Sequence, residues 1–159
     1  MTPSYTFSRR RMLTAVAAMA VPTGACARDG RPTALTVFKT PTCPCCDGWI
    51  GHMRQAGFEV SVQILADLRP VRRRLGLPEA LASCHSGLVG GYLIEGHVPS
   101  ADVRTLLRQR PEAIGLAVPA MPLGSPGMET PTGQTEPYDT LLVLRSGQTT
   151  VFARHNLSV

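Results

Sequence analysis

Three thiols crowd the segment Thr40-Pro41-Thr42-Cys43-Pro44-Cys45-Cys46. Cys43 and Cys46 have the C-x-x-C spacing of a redox dithiol, and Cys45 stands between them. A thiolate serves both as redox nucleophile and as metal ligand. Disulfide exchange needs one attacking and one resolving thiol, so a third only offers a wrong partner. A soft ion such as Cu(I) or Zn(II) instead gains a ligand from it. Cys45 is thus where the redox and metal readings part. The segment follows Leu35-Thr36-Val37-Phe38, which reads as a strand, and precedes residues 47–57, which read as a helix closed by Gly57. Cys43 should therefore lie at or just before the helix start, where free N–H groups and the positive dipole end favour a thiolate. Pro44 suits the first turn, and Cys46 returns to the face of Cys43.

A second sulfur and nitrogen pair is Cys84-His85. Neighbours in extended chain point to opposite sides, so His85 reads either as a ligand or supporting group, or as a surface histidine. Met121 and Met128 lie in a Gly/Pro-rich stretch; thioethers suit Cu(I), and they equally fill gaps in packing. His52 is seven residues beyond Cys45 on the predicted helix, roughly 10 Å along its axis, too far to share an ion. Trp49, Ile50 and Met53 read as that helix's core face. His97 and His155 fall in predicted strands and carry no spacing signal. Two structural disulfides would be the ordinary use of four exported cysteines. Scaffold cysteines are spread along a chain, however, and adjacent Cys45 and Cys46 rarely reach a comfortable mutual geometry.

These groups need elements to hold them. Residues 58–65 alternate apolar and polar as a strand. Asp67 can cap a helix with Pro70 in its first turn and Leu68, Val71 and Leu75 as its buried stripe. Arg69, Arg72, Arg73 and Arg74 then fall mostly on the solvated side and suggest no ligand. Residues 87–98 read as a β-hairpin with central glycines, and Pro99 to Arg110 as a third helix carrying Val103, Leu106 and Leu107. Residues 115–137 should be irregular, and Leu141–Leu144 and Thr149–Phe152 should form a final hairpin. The order β-α-β-α-β-β-α predicts an α/β, thioredoxin-like fold with a parallel first strand pair, plus the irregular Gly/Pro loop and C-terminal β-hairpin as additions. The loop entering the central hairpin of such folds normally carries a cis-proline facing the C-x-x-C turn. Here that place reads Leu81-Ala82-Ser83-Cys84-His85-Ser86, without proline. Cys84 should then face Cys43, its sulfur within about 6 Å of one in the turn, a span that ~2.3 Å bonds to one ion can bridge.

The N-terminus reads as an address. Ser8-Arg9-Arg10-Arg11-Met12-Leu13 has the form of a twin-arginine signal, followed by about ten apolar residues, too few to span a bilayer. Ala25-Cys26-Ala27 fits a cleavage site; the rival reading is a lipobox with Cys26 lipidated, against which Thr23 stands where an aliphatic residue is usual. The organisation expected is a signal over 1–27, a flexible leader over 28–34 and one domain over 35–159. Removing the signal's three arginines lowers the net charge from +5 to +2, which leaves no nucleic-acid footprint.

The chain resembles the thioredoxin-like periplasmic copper-resistance family typified by CopG, long described as a domain of unknown function. The residues that carry the likeness are Lys39 to Cys46 with Trp49, Ala82 to Tyr92, Glu95-Gly96-His97-Val98-Pro99, Gly115 to Pro119, Met121-Pro122, Gly124 to Glu129 and Pro137-Tyr138-Asp139. Ala120 departs from the glycine often found before the Met-Pro pair. The resemblance implies a thioredoxin-like fold, periplasmic placement and copper binding through Cys43, Cys45, Cys46 and Cys84. The leading expectation is an exported copper-homeostasis protein that holds Cu(I) on these thiolates with His85, and that interconverts Cu(I) and Cu(II). A copper-delivery or copper-efflux protein is the expected partner. The first alternative is a thiol–disulfide oxidoreductase with Cys43 and Cys46 as catalytic pair; the second is a structural zinc module.

Overall fold

The computed structural model describes Met1 and residues 33–157. The expected export signal, with Cys26 and its cleavage or lipidation, lies outside the described residues apart from Met1. Seven strands form one sheet in the order β2-β1-β3-β4-β5-β6-β7. They are β1 (Thr33–Lys39), β2 (Phe58–Ile64), β3 (His85–Val89), β4 (Tyr92–Gly96), β5 (Ala113–Val118), β6 (Tyr138–Leu144) and β7 (Thr149–His155). Helices α1 (Pro44–Gln55), α2 (Arg69–Leu75) and α3 (Ser100–Gln109) connect them. β1 pairs with β2 in parallel, across α1, as the sequence predicts. The fold is thioredoxin-like, with β6 and β7 extending the sheet.

The strand period sorts the core between two faces. Val37 and Ile94 face α1 and α3, packing with Trp49, Met53, Val103 and Leu106. Their chain neighbours Phe38 and Leu93 face the other way, Phe38 against Leu68 and Val71 beside α2. Along α1 the buried residues Cys46, Trp49, Ile50 and Met53 make one helical stripe. Each large apolar side chain so buried stabilises the fold by roughly 1.5–3 kcal/mol. The Trp49 indole N–H also donates to the Val98 carbonyl at 2.8 Å, which fixes the helix's rotation over the sheet.

Several boundaries differ from the sequence reading. Thr33 and Ala34, assigned to the leader, already pair with β2. Helix α1 begins at Pro44, ahead of the stretch 47–57 read as helical, which bears out the placing of Cys43 at the helix start and of Pro44 in its first turn. Residues 113–118, mostly placed in the irregular stretch, form β5 parallel to β4, a short apolar run buried on both faces. His97 lies in the bend just after β4 and not in a strand. The final hairpin is present and longer than expected. The central hairpin turns through Gly90 and Gly91, both at positive φ (56° and 88°), a conformation that favours glycine.

Candidate metal centre

The end of β1 and the start of α1 present the thiol turn. Cys43 is the α1 N-cap residue, with Pro44 in the first helical position. Cys43 and Cys46 are joined as a disulfide, while Cys45 and Cys84 are free thiols. Cys45 Sγ lies 3.6 Å from Cys43 Sγ, 3.9 Å from Cys84 Sγ and 4.0 Å from Met121 Sδ. All four cysteine sulfurs fall within 4.8 Å of one another. Sulfurs bound at ~2.3 Å to one tetrahedral ion stand about 3.8 Å apart, so the spacing fits a shared ion once the disulfide is reduced. The expected approach of Cys84 to the turn is met, with no proline and, among the described residues, no cis peptide.

Cys84 belongs to a second group. His97 Nε2 lies 3.0 Å and His85 Nδ1 3.3 Å from its sulfur. Both imidazoles are fully buried. Burial first, and His97 second, hold His85 down to about 3. Burial also lowers His97. Both rings are therefore neutral near pH 7, the form that ligates. The Pro126 carbonyl, 2.8 Å from His97 Nδ1, can only accept, so Nδ1 carries the proton and Nε2 turns its lone pair to Cys84. His85 packs at a 43° tilt against Trp49 and meets His97 edge-on, and its buried Nε2 has no hydrogen-bond partner. Burial, then the neighbouring Cys45, pushes Cys84 up to about 12. An uncharged thiol among neutral rings, with a bare ring nitrogen, is a donor set that a soft cation would satisfy.

The loop after β5 covers this group from the side of α1. Gly127 packs on Gly48, where an added Cβ would sit 2.9 Å from the Gly127 Cα. At Gly127 itself (φ +86°) a Cβ would lie 2.5 Å from the Trp49 nitrogen, so the contact requires glycine on both sides. Glu129 accepts from the Gly127 N–H at 3.0 Å and pairs with His52 Nε2 at 2.6 Å.

The sequence-predicted residues thus separate. Cys43, Cys45, Cys46, Cys84 and His85 come together, and His85 is interior, not a surface residue. Met121, 49% exposed, stands at the rim beside Cys45. The Met128 backbone closes the loop's turn, and its sulfur makes no hydrogen bond with a site thiol among the described residues. His52 faces Glu129, away from the thiols, as its helical position demands. Sequence reasoning missed His97. A two-glycine turn pairs Val89 with Tyr92 and Ser86 with Glu95; continuing that register by two residues sets Cys84 opposite His97. It also missed Arg72, read as solvated, whose side chain is only 14% exposed and pairs with the buried Glu95 at 2.8 Å.

A cavity of about 460 Å³ opens over the thiols, lined by Thr42, Cys45, Arg69, Cys84 and Met121 among others. Among the described residues no helix is long and apolar enough to cross a membrane. The family model described as "Protein of unknown function, DUF411" matches residues 81–128, the stretch that carries Cys84, His85, His97 and the Met loop. Two solved structures described as copper resistance protein copG, form 1 and form 2, are each 42% identical to this chain over 79% of its length. The match covers 98% and 100% of those chains, with TM-scores of 0.74 and 0.75. None of the curated proteins matches this chain.

Proposed function

This chain belongs to the CopG-like copper-resistance family, and from that premise we propose that it is an exported copper-binding protein that takes Cu(I) as its cargo. The observation that carries the reading is the meeting of four cysteine sulfurs within 4.8 Å. Sulfur and neutral imidazole donors with a thioether at the rim favour a soft monovalent ion over harder ones. In the reduced protein Cys43, Cys45, Cys46 and Cys84 supply the thiolates, with His85 and His97 on the buried side. Met121 meets the ion at the mouth. The twin-arginine motif supports a periplasmic setting, and the open cavity at Cys45 suits hand-over to or from a copper-delivery or copper-efflux protein.

The same turn can convert the cargo's oxidation state. Two Cu(II) ions each take one electron from the reduced Cys43–Cys46 pair. The two thiols lose two protons and form one disulfide, and two Cu(I) ions result. Closing that disulfide withdraws two thiolates from the site, so redox state and copper affinity are linked. A second reading, thiol–disulfide exchange on protein substrates, draws support from the formed Cys43–Cys46 disulfide at a helix start. Cys45, 3.6 Å from the Cys43 sulfur, counts against it as a competing partner.

Cys45→Ser separates the two. In the anaerobic, reduced protein it should weaken Cu(I) binding at least tenfold, about 1.4 kcal/mol, by chelator competition. The Cys43–Cys46 disulfide should still form and be reduced. Full Cu(I) affinity in this variant, together with lost exchange activity on a protein disulfide, would establish the oxidoreductase reading instead. Tighter binding of Zn(II) than of Cu(I) in the same competition would select the structural zinc module.

A further inference from the structure

The segment that delivers Cys84 has lost the proline usual at this place in the fold, and a buried ion pair stands in its stead. Ser83, the residue before Cys84, donates its backbone N–H to Glu95 Oε1 at 2.7 Å. Its carbonyl accepts from Arg72 Nη2 at 2.5 Å. The same Arg72 nitrogen pairs with Glu95 Oε1 at 2.8 Å, and the Ser86 hydroxyl donates to Glu95 Oε2 at 2.5 Å. Ser83 Oγ in turn donates to the carbonyl of Ala120, the residue before Met121, at 2.7 Å. Ser83 is thereby held by both backbone polar groups and its hydroxyl.

Stability is a poor reason for this arrangement. Glu95 is fully buried in a strand whose other residues are apolar or small. Taking a carboxylate and a guanidinium out of water costs several kcal/mol each, and an apolar pair of similar volume is often as stable or more so. What the pair supplies is direction: Nη2, fixed in the plane of the guanidinium, meets the Ser83 carbonyl and the Glu95 carboxylate at once. We propose that Arg72 and Glu95 are positioning residues for the copper site, fixing Ser83 so that the Cys84 sulfur faces Cys45 and Met121 reaches the rim. This rests on the reading of Cys84 as a copper ligand.

The test is a double-mutant cycle on the reduced full-length mature protein. Cu(I) affinity is measured for Arg72→Lys and Glu95→Gln, each in the native and the Cys84→Ser background, alongside thermal unfolding. Lysine keeps the charge facing Glu95 and loses the rigid guanidinium plane that aims Nη2 at both oxygens. Arg72→Lys should weaken Cu(I) binding roughly tenfold in the native background and by less than about twofold in the Cys84→Ser background. The sulfur count around copper, read by X-ray absorption, should fall by about one in Arg72→Lys, a change that mere loss of stability would not produce. Equal losses in both backgrounds would overturn the proposal, since the pair would then act through the fold at large. So would native affinity in Arg72→Lys while Cys84→Ser alone binds weakly; the copper reading would survive that result. Native affinity in Cys84→Ser would overturn both. Should Glu95→Gln fail to fold, Arg72→Lys decides alone.

Discussion

Cys45 and Cys84 lie 3.9 Å apart and occupy opposite surroundings. Cys45 belongs to a helix-start turn, half-buried, with three sulfurs within 4.0 Å of its thiol and a cavity over it. Cys84 enters a strand pair, with two fully buried imidazoles on its sulfur and a buried ion pair holding the residue before it. The turn can exchange partners, and it already holds a disulfide. The strand side resists protonation of its rings and holds its donors in fixed directions. On the proposed reading, an incoming soft ion would meet Cys45 and Met121 first and be retained by Cys84. The contrast teaches that one sulfur cluster can join an open helix start to a buried sheet end, and on that reading capture would belong to the first and retention to the second.

The largest effect should come from Cys84→Ser. This sulfur belongs to both donor groups, so its loss removes a thiolate from one and the only sulfur from the other. We expect Cu(I) affinity to drop by about a hundredfold, near 2.8 kcal/mol, against roughly tenfold for Cys45→Ser. Chelator competition on the two variants in parallel ranks them. Equal losses would erase the distinction between capture and retention.

The second prediction concerns protons. His85 is held down to about 3 against an ordinary 6.5, through burial first and then His97. Below 6.5 the unfolded chain takes up a proton that the folded chain refuses. Stability is therefore full above about 6.5 and falls as pH drops toward 3, by about 1.4 kcal/mol per pH unit for this group alone. His97, lowered in the same direction, adds to the slope. Glu95, raised by burial, works in the opposite sense and offsets part of the loss at the acid end. Denaturant unfolding of the reduced, copper-free protein at pH 7.0 and 5.5 should show the decline, and His85→Gln should flatten it. An unchanged slope in that variant would mean that the strand side is no more closed to protons than the turn.

Much of this contrast is legible in residues, and the remainder depends on pairing. The turn is readable because its chemistry is local: Cys43, Cys45 and Cys46 sit on one strand-to-helix junction, and helical spacing alone excludes His52. Placing Cys84 needs only the fold's usual cis-proline site. His97 is thirteen residues from Cys84 and becomes a neighbour only through hairpin register, which the Gly90-Gly91 turn encodes and which must be counted to be seen. Arg72 is harder still. It lies within a run of arginines whose neighbours Arg73 and Arg74 are exposed, and only the buried Glu95 across the sheet marks it as interior. Strand β5 was hidden by glycine and proline in the stretch that follows it, although Ala113 to Val118 is a continuous run of apolar and small residues. Local chemistry is written in spacing; partners across the sheet appear only when register is worked out.

The smallest effect should belong to His52→Ala. His52 pairs with Glu129 at 2.6 Å, but both side chains are open to solvent, at 43% and 55% exposed. Exposed pairs of this kind contribute about 0–1 kcal/mol. Glu129 also keeps its bond to the Gly127 N–H, and Gly127 stays seated on Gly48 by close contact that owes nothing to His52. The loop should therefore hold its place without that contact, with His97 still donating to the Pro126 carbonyl and Met121 still beside Cys45. We expect Cu(I) affinity within about twofold of the native protein and an unfolding free energy lower by no more than about 0.5 kcal/mol. Chelator competition and denaturant unfolding on the one variant measure both. A copper loss as large as that of Cys45→Ser would show that the loop's outer clamp governs the site, and the contrast between turn and strand would have to be redrawn around the loop.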